Sequence, residues 1–190
     1  MQQDQYYIRQ ILAEGSEEAL YKLVKKYQKQ VFNLCFRIIR NREEAEEAAQ
    51  DVFLKAFAQL KNLEDPTRFA AWLMRITYHR AIDYARLEKK RPVELDEEGW
   101  ARIEEQYEPG PQEQLVRMER IELIERILAV LPPTENALMS LFYMEEMSVK
   151  EVAELTGLSE SNVKIKLMRT RKVVKKLLER SLGNEIEDIR

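Results

Sequence analysis

The chain has 190 residues, of which 45% are hydrophobic, and its 31 basic and 34 acidic residues leave a net charge of −3. This balance excludes a disordered chain, and the presence of only five Gly and six Pro favours an all-α protein. One Cys and one His exclude a disulfide framework and a Cys/His zinc site, and no apolar run is long enough to span a membrane. We therefore expect a cytoplasmic helical protein with no metal, no cofactor and no membrane insertion.

Charge is distributed unevenly along the chain and predicts two domains. Residues 1–91 carry 17 basic and 13 acidic side chains, whereas residues 92–113 carry eight acidic side chains and one Arg. The middle stretch also holds three of the six Pro and has no sustained apolar period. We interpret residues 92–113 as an acidic linker, or simply a solvated spacer, between a helical domain at 1–91 and a second at 114–182. Residues 183–190 form a C-terminal tail.

Three amphipathic helices are predicted in the first domain, beginning after Ser16. Ser16 suits a helix N-cap and is followed by two Glu in the first turn. A second helix starts after Asn41, residues 61–68 form a loop with Asn, Asp and Pro, and a third helix runs from about 69 to 89. The first of these helices has apolar residues at helical spacing: Leu20, Leu23, Val24, Tyr27, Val31, Leu34, Cys35 and Ile38.

The second domain contains a pattern typical of a DNA-binding helix-turn-helix. Ser148 and Glu151 fit a capping box, Gly157 suits a left-handed turn, and Ser159 caps a second helix. Residues 159–180 carry eight basic and two acidic side chains, which favours docking in a major groove over a merely solvated helix. A buried stripe is predicted at Val163, Leu167, Thr170, Val174 and Leu177.

The third helix of the first domain combines basic and aromatic residues. Arg75, Arg80 and Arg86 alternate with Trp72, Tyr78 and Tyr84. Surfaces that bind single-stranded or melted DNA use cations to neutralise phosphates and aromatic rings to stack on unpaired bases. This helix has both kinds of side chain. The alternative is that these aromatic residues belong to the core.

Residues 16–182 resemble the extracytoplasmic-function (ECF) sigma factors of bacterial RNA polymerase. ALYKLVKKYQKQVFNLCFRIIRNREEAEEAAQDVFLKAF, followed by RFAAWLMRITYHRAIDYAR, is similar to sigma region 2. LPPTENALMSLFYMEEMSVKEVAELTGLSESNVKIKLMRTRKVVKKLL is similar to sigma region 4. The resemblance implies two helical domains that bind core RNA polymerase and promoter DNA, with no catalytic residues.

In region 2 the resemblance assigns two surfaces. The first is a polar helix face that binds the clamp helices of polymerase. Because this face is solvated, we expect Gln50→Ala and Asp51→Ala to weaken polymerase binding and to leave thermal stability nearly unchanged. The face consists of Glu47, Gln50, Asp51 and Leu54. The second surface captures a flipped base of the melted minus-ten element, with the arginines of the third helix on phosphates. It consists of Lys61, Asn62, Arg68, Trp72, Arg75, His79, Arg80 and Arg86.

His79 departs from the family pattern, which most often has Asn at this position. An unperturbed pKa near 6.5 for His leads us to expect promoter opening to vary between about pH 6 and 8 if His79 contacts a base. Alternatively, His79 is a helix residue with no DNA contact.

In region 4 the resemblance places the second helix of the helix-turn-helix on the duplex minus-thirty-five element, and another face on the polymerase flap. The expected DNA contacts are Ser161, Asn162, Lys164, Ile165, Lys166, Met168, Arg169 and Lys172. Arg169 or Lys164 suits guanine acceptors and Asn162 suits adenine. In this family the acidic linker threads the polymerase towards the RNA exit path, and an anti-sigma factor commonly holds the protein inactive.

Two other functional classes fit parts of the pattern. A conventional transcription regulator also uses a helix-turn-helix, but it would bind duplex DNA without polymerase. A helical enzyme is suggested only by His79 and Asp83, four residues apart on one helix.

Overall fold

The computed structural model describes residues 2–87 and 117–187, and every regular element within these two ranges is helical. Within them, no helix is both long enough and apolar enough to cross a bilayer. The predicted acidic linker and residues 88–91 lie outside the described residues. The elements in chain order are α1 (Gln2–Glu14), α2 (Glu17–Ile39), α3 (Arg42–Ala58), the 3-10 turns η1 (Leu60–Asn62) and η2 (Pro66–Arg68), α4 (Phe69–Leu87), α5 (Arg117–Val130), α6 (Pro133–Tyr143), α7 (Val149–Thr156) and α8 (Glu160–Glu187).

Local capping signals determine where the helices of the first domain begin. The Ser16 side chain accepts a hydrogen bond from the backbone amide of Ala19 at 3.3 Å, as its sequence context predicts. Asn41 caps α3 by accepting from the amide of Glu44 at 3.2 Å. Between them, Arg40 takes a left-handed conformation with φ 65°, which ends α2 and turns the chain into α3. Helices α2, α3 and α4 then pack against one another.

Helix α1 is an element that the sequence analysis did not predict. Its buried side includes Asp4 and Ile8, which are four residues apart, and Ile11 lies partly buried one turn further on. This side packs on α2 and on both 3-10 turns. The spacing of Tyr7, Ile8 and Ile11 is the sequence signal that indicates this helix.

The second domain contains the predicted helix-turn-helix, in which α6 packs on both α7 and α8. The capping box of α7 is confirmed: the Ser148 hydroxyl accepts from the Glu151 amide at 3.2 Å, and the Glu151 carboxylate accepts from the Ser148 amide at 2.8 Å. Gly157 has φ 78°, and the Ser159 hydroxyl accepts from the Asn162 amide at 3.2 Å at the start of α8. Helix α6 begins at Pro133, because Pro is favoured at the first helical position.

The two domains are in contact through polar and apolar groups. Helix α6 packs on α2 and α4, and α7 packs on α4. In the turn between α6 and α7, the Glu145 carboxylate accepts from Gln30 Nε2 at 2.9 Å and pairs with Arg37 Nη1 at 3.4 Å. Arg68 of η2 donates to the Glu154 carboxylate of α7 at 2.8 Å. This closed arrangement places the helix-turn-helix beside α4.

Candidate nucleic-acid and polymerase interfaces

Helix α4 presents one solvent-facing stripe that contains four of the expected minus-ten residues. Trp72, Arg75, His79 and Arg86 follow one another at spacings of three, four and seven residues, which places them on one side of a helix. Arg75, His79 and Arg86 are exposed, and Trp72 is half-buried with its ring centroid 6.0 Å from that of Phe69. In the closed arrangement the other sides of α4 are largely buried, so this stripe is the main surface that α4 exposes.

Partial burial, together with neighbouring positive charge, determines the protonation of His79. Partial burial, followed by the positive charges of Arg75, Lys55 and Arg86, lowers the pKa of His79 below its usual value, although Asp83 opposes the shift. The imidazole is therefore neutral at pH 7, with one nitrogen that donates a hydrogen bond and one that accepts. The expected window between pH 6 and 8, which assumed an unperturbed side chain, moves to lower pH.

The segment between α3 and α4 is folded into two 3-10 turns rather than an irregular loop. Asp65 caps η2 by accepting from the amide and the hydroxyl of Thr67 at 2.9 and 2.7 Å. Lys61 and Asn62 are exposed at the end of η1. Arg68 is also exposed, but in the closed arrangement its guanidinium is paired with Glu154.

The expected polymerase-binding residues lie together on α3. Glu47, Gln50 and Leu54 are exposed, and 71% of the Leu54 surface is open to solvent. Their spacing of three and four residues places these three side chains on one solvent-facing side of α3.

Asp51 differs from its neighbours because it is bonded to α4. Its Oδ2 accepts from Arg80 Nη2 at 2.5 Å and from the Tyr84 hydroxyl at 2.9 Å, and the Arg80 guanidinium lies 5.1 Å from the Tyr84 ring centroid. These hydrogen bonds hold the pKa of the Asp51 carboxyl below its usual value. Burial, together with the bond to Asp51, raises the pKa of Tyr84 to about 12.

This network changes two expectations from the sequence. Asp51→Ala removes two hydrogen bonds between α3 and α4, so the expectation that it leaves stability nearly unchanged does not agree with the structure. Arg80 faces α3 rather than the exposed stripe, since its guanidinium is held by Asp51. The sequence contains no signal for this pairing, because the two residues are 29 positions apart on different helices.

Helix α8 presents a basic face opposite its buried stripe. Val163, Leu167, Thr170 and Leu177 are buried as predicted, and Val173 is more buried than Val174. Seven of the eight expected minus-thirty-five residues are exposed: Ser161, Asn162, Lys164, Ile165, Met168, Arg169 and Lys172.

Lys166 is the exception, and it points towards α6. Its Nζ lies 3.0 Å from the Glu135 carboxylate, and the side chains are only 18% and 4% exposed. Lys166 follows Val163 by three residues and precedes Thr170 by four, so it flanks the buried stripe. The expected DNA contact at Lys166 therefore disagrees with the structure, in which this side chain fastens α8 to α6.

The Asp51–Arg80 pair leads to a prediction about stability. We expect a double-mutant cycle of Asp51→Ala and Arg80→Ala to give a coupling of about 1 kcal/mol at pH 7, because both side chains are about one-third exposed and solvent weakens the pair. Since the native pKa of Asp51 is lowered, the coupling persists at pH 5 and declines as the pH falls below about 4. Urea denaturation at each pH measures it. The control is Glu43→Ala, at an exposed position of α3. A coupling energy between Arg80 and Glu43 equal to that between Arg80 and Asp51 would contradict the network.

Comparison with known proteins is consistent with this architecture. The family model described as "Sigma-70 region 2" matches residues 23–91, and "Sigma-70, region 4" matches residues 121–174. The ECF RNA polymerase sigma factor SigW of Bacillus subtilis is 28% identical over 172 residues, which cover 86% of this chain and 91% of SigW.

Two solved structures share the fold. CnrH in complex with the cytosolic domain of CnrY has a TM-score of 0.64 at 23% identity and covers 93% of this chain and 97% of CnrH. RpoE of Bartonella quintana, in complex with the anti-sigma factor NepR, has a TM-score of 0.59 at 17% identity and covers 84% of this chain and 96% of RpoE. With both sigma-70 regions present in order and an ECF sigma factor similar along most of its length, the chain belongs to the ECF family of RNA polymerase sigma factors.

Proposed function

We propose that this chain binds core RNA polymerase and directs it to promoters by recognising two DNA elements. The α3 face of Glu47, Gln50 and Leu54 binds the polymerase clamp. The exposed face of α8 binds the minus-thirty-five duplex. The α4 stripe, with the segment 61–68, binds the separated minus-ten strand. The chain itself performs no covalent chemistry and acts in the cytoplasm with the polymerase.

The observation that carries this proposal is the presence of two exposed basic surfaces of different character on two domains. The α8 face is a helix-turn-helix surface with Asn162 and Arg169 exposed for base edges. The α4 stripe instead combines a half-buried Trp ring with Arg and a neutral His, which suits unpaired bases. A protein that contacts both duplex and melted DNA shifts the equilibrium towards the open promoter, because it binds separated strands better than paired ones.

The closed arrangement must open for both elements to be bound at once. Two elements about 25 base pairs apart are separated by ~85 Å of duplex at about 3.4 Å per base pair. In the structure, Arg68 of the minus-ten surface is 2.8 Å from Glu154 of the helix-turn-helix. The 29 residues between Leu87 and Arg117 reach at most about 100 Å. This length suffices for the domains to separate while they stay joined.

We also propose that an anti-sigma protein regulates this chain. The structural neighbour RpoE was solved with the anti-sigma factor NepR, and CnrH was solved with the cytosolic domain of CnrY. A partner that stabilises the closed arrangement would prevent simultaneous binding of the two elements.

Reconstitution with core polymerase tests the proposed function. The chain should direct promoter-specific transcription by core enzyme, whereas a conventional regulator would bind its DNA site equally well without core. Gln50→Ala combined with Leu54→Ala should lower core affinity at least about tenfold and leave stability unchanged, because both side chains are exposed. Glu43→Ala, on the same helix, is the control. Unaltered core affinity in the double variant would remove this face from the interface.

Arg169 and Lys166, three residues apart on α8, should behave differently when they are changed. Arg169→Ala should cost about 1–3 kcal/mol of binding and relax the preference at one base pair of the minus-thirty-five element, with unchanged stability. Lys166→Ala should instead lower the free energy of unfolding by about 3 kcal/mol, because it removes the cation paired with a buried carboxylate.

Duplex binding by the holoenzyme and urea denaturation separate these effects. If Arg169→Ala lowers the affinity for all DNA sequences equally, Arg169 contacts a phosphate. If the variant keeps the wild-type affinity, Arg169 lies outside the interface. A Lys166→Ala variant of normal stability would contradict the structural role of that side chain.

A further inference from the structure

Helix α1 lies before residue 23, where the match to sigma-70 region 2 begins. It packs against residues 61–68, the base-capture segment, which is expected to help capture the minus-ten base. It contacts both η1 and η2, which form most of that segment. Ile8 anchors α1 in the core with only 1% of its surface exposed. The helix thus supports residues 61–68 through its contacts with η1 and η2, although none of the polymerase or DNA residues assigned by resemblance lies on α1.

A buried carboxylate fixes how α1 sits on α2. Asp4 is 6% exposed; its Oδ1 lies 2.6 Å from Lys26 Nζ, and its Oδ2 accepts from the Tyr27 hydroxyl at 2.8 Å. A buried charge is costly unless it is paired and hydrogen-bonded, so a shift of α1 that breaks these bonds is disfavoured. Burial, and then the bond to Asp4, raises the pKa of Tyr27, which keeps its hydroxyl protonated as the donor.

Tyr27 also reaches the start of α4. Its ring meets the Phe69 ring edge-on at 5.5 Å, and Phe69 in turn lies 6.0 Å from Trp72 of the exposed stripe. Phe69 is only 1% exposed, so the close packing around its ring leaves it little freedom to move. Tyr27 therefore contacts α1 through its hydroxyl and the first turn of α4 through its ring.

We propose that Asp4, Lys26 and Tyr27 are positioning residues for minus-ten recognition. These residues hold α1 against η1 and η2, and they hold Phe69 beside Trp72. In this way they determine the geometry of the base-capture surface, which consists of residues 61–68 and the exposed stripe of α4. That geometry in turn determines the base preference. Binding sites lose selectivity when the residues behind them allow shifts of about 0.5 Å. This inference rests on the proposed function, because it names residues that shape the same surface.

Two substitutions separate this role from general stability. Tyr27→Phe removes the hydroxyl and keeps the ring against Phe69, and Asp4→Asn removes the charge and keeps the size of the side chain. The matched controls are Tyr21→Phe on α2 and Glu14→Gln on α1, both at exposed positions. Core affinity and the free energy of unfolding are measured for every variant.

The first readout is base preference. Holoenzyme reconstituted with core polymerase is titrated with fluorescent single-stranded minus-ten oligonucleotides in which each base is replaced in turn. We expect both variants to change the affinity ratio between preferred and replaced bases at least threefold, with core affinity within twofold of wild type and the controls unchanged. A uniform loss for all oligonucleotides, or unchanged ratios, would overturn the positioning role.

The second readout needs neither polymerase nor DNA. Hydrogen exchange of the free chain should show faster exchange in residues 60–72 of Asp4→Asn than of Glu14→Gln. Faster exchange confined to α1 would overturn the proposal. A wild-type holoenzyme that binds no minus-ten strand would contradict the proposed function instead, and the exchange measurement would still decide whether Asp4 positions the segment.

Discussion

In the closed arrangement, the packing of α4 between two domains determines which of its residues are exposed. The helix contacts α2 and α3 in its own domain and α6 and α7 in the other, so its buried residues occupy more than one side. What stays exposed is a narrow stripe that contains Arg75, His79 and Arg86. A helix whose apolar sides are all covered can present charge on the remaining side without weakening the core.

Polar contacts of α4 and η2 also link the surfaces that are expected to bind polymerase, the minus-ten strand and the minus-thirty-five duplex. Arg80 of α4 is bonded to Asp51, a member of the expected polymerase-binding face, and Arg68 of η2 is bonded to Glu154 of the helix-turn-helix. Each is a polar contact at least partly open to solvent, which a competing charged partner can replace more readily than buried apolar packing. Of these two contacts, the Arg68–Glu154 pair joins the domains. The phosphates of DNA, which compete for Arg68 in our account, would therefore weaken a contact that holds the domains closed.

The sequence predicts those features that depend on neighbouring residues. The capping box of Ser148 and Glu151, the left-handed turn at Gly157 and the exposed face of α8 all follow from spacing along one helix or turn. Pairs between helices do not follow from spacing, because helical periodicity indicates which side is buried but not which residue lies opposite. Lys166 was for this reason expected on DNA although it pairs with Glu135, 31 positions away.

Opening of the closed arrangement is the central requirement of this account, and a distance measurement tests it most directly. Labels at Glu43→Cys on α3 and Lys175→Cys on α8, both exposed, report the separation of the domains. Cys35 is buried, and burial raises the pKa of its thiol to about 12, so it does not compete for label. We expect the distance to increase by tens of ångströms when core polymerase and promoter DNA are added. An unchanged distance in a complex that initiates transcription would contradict the account.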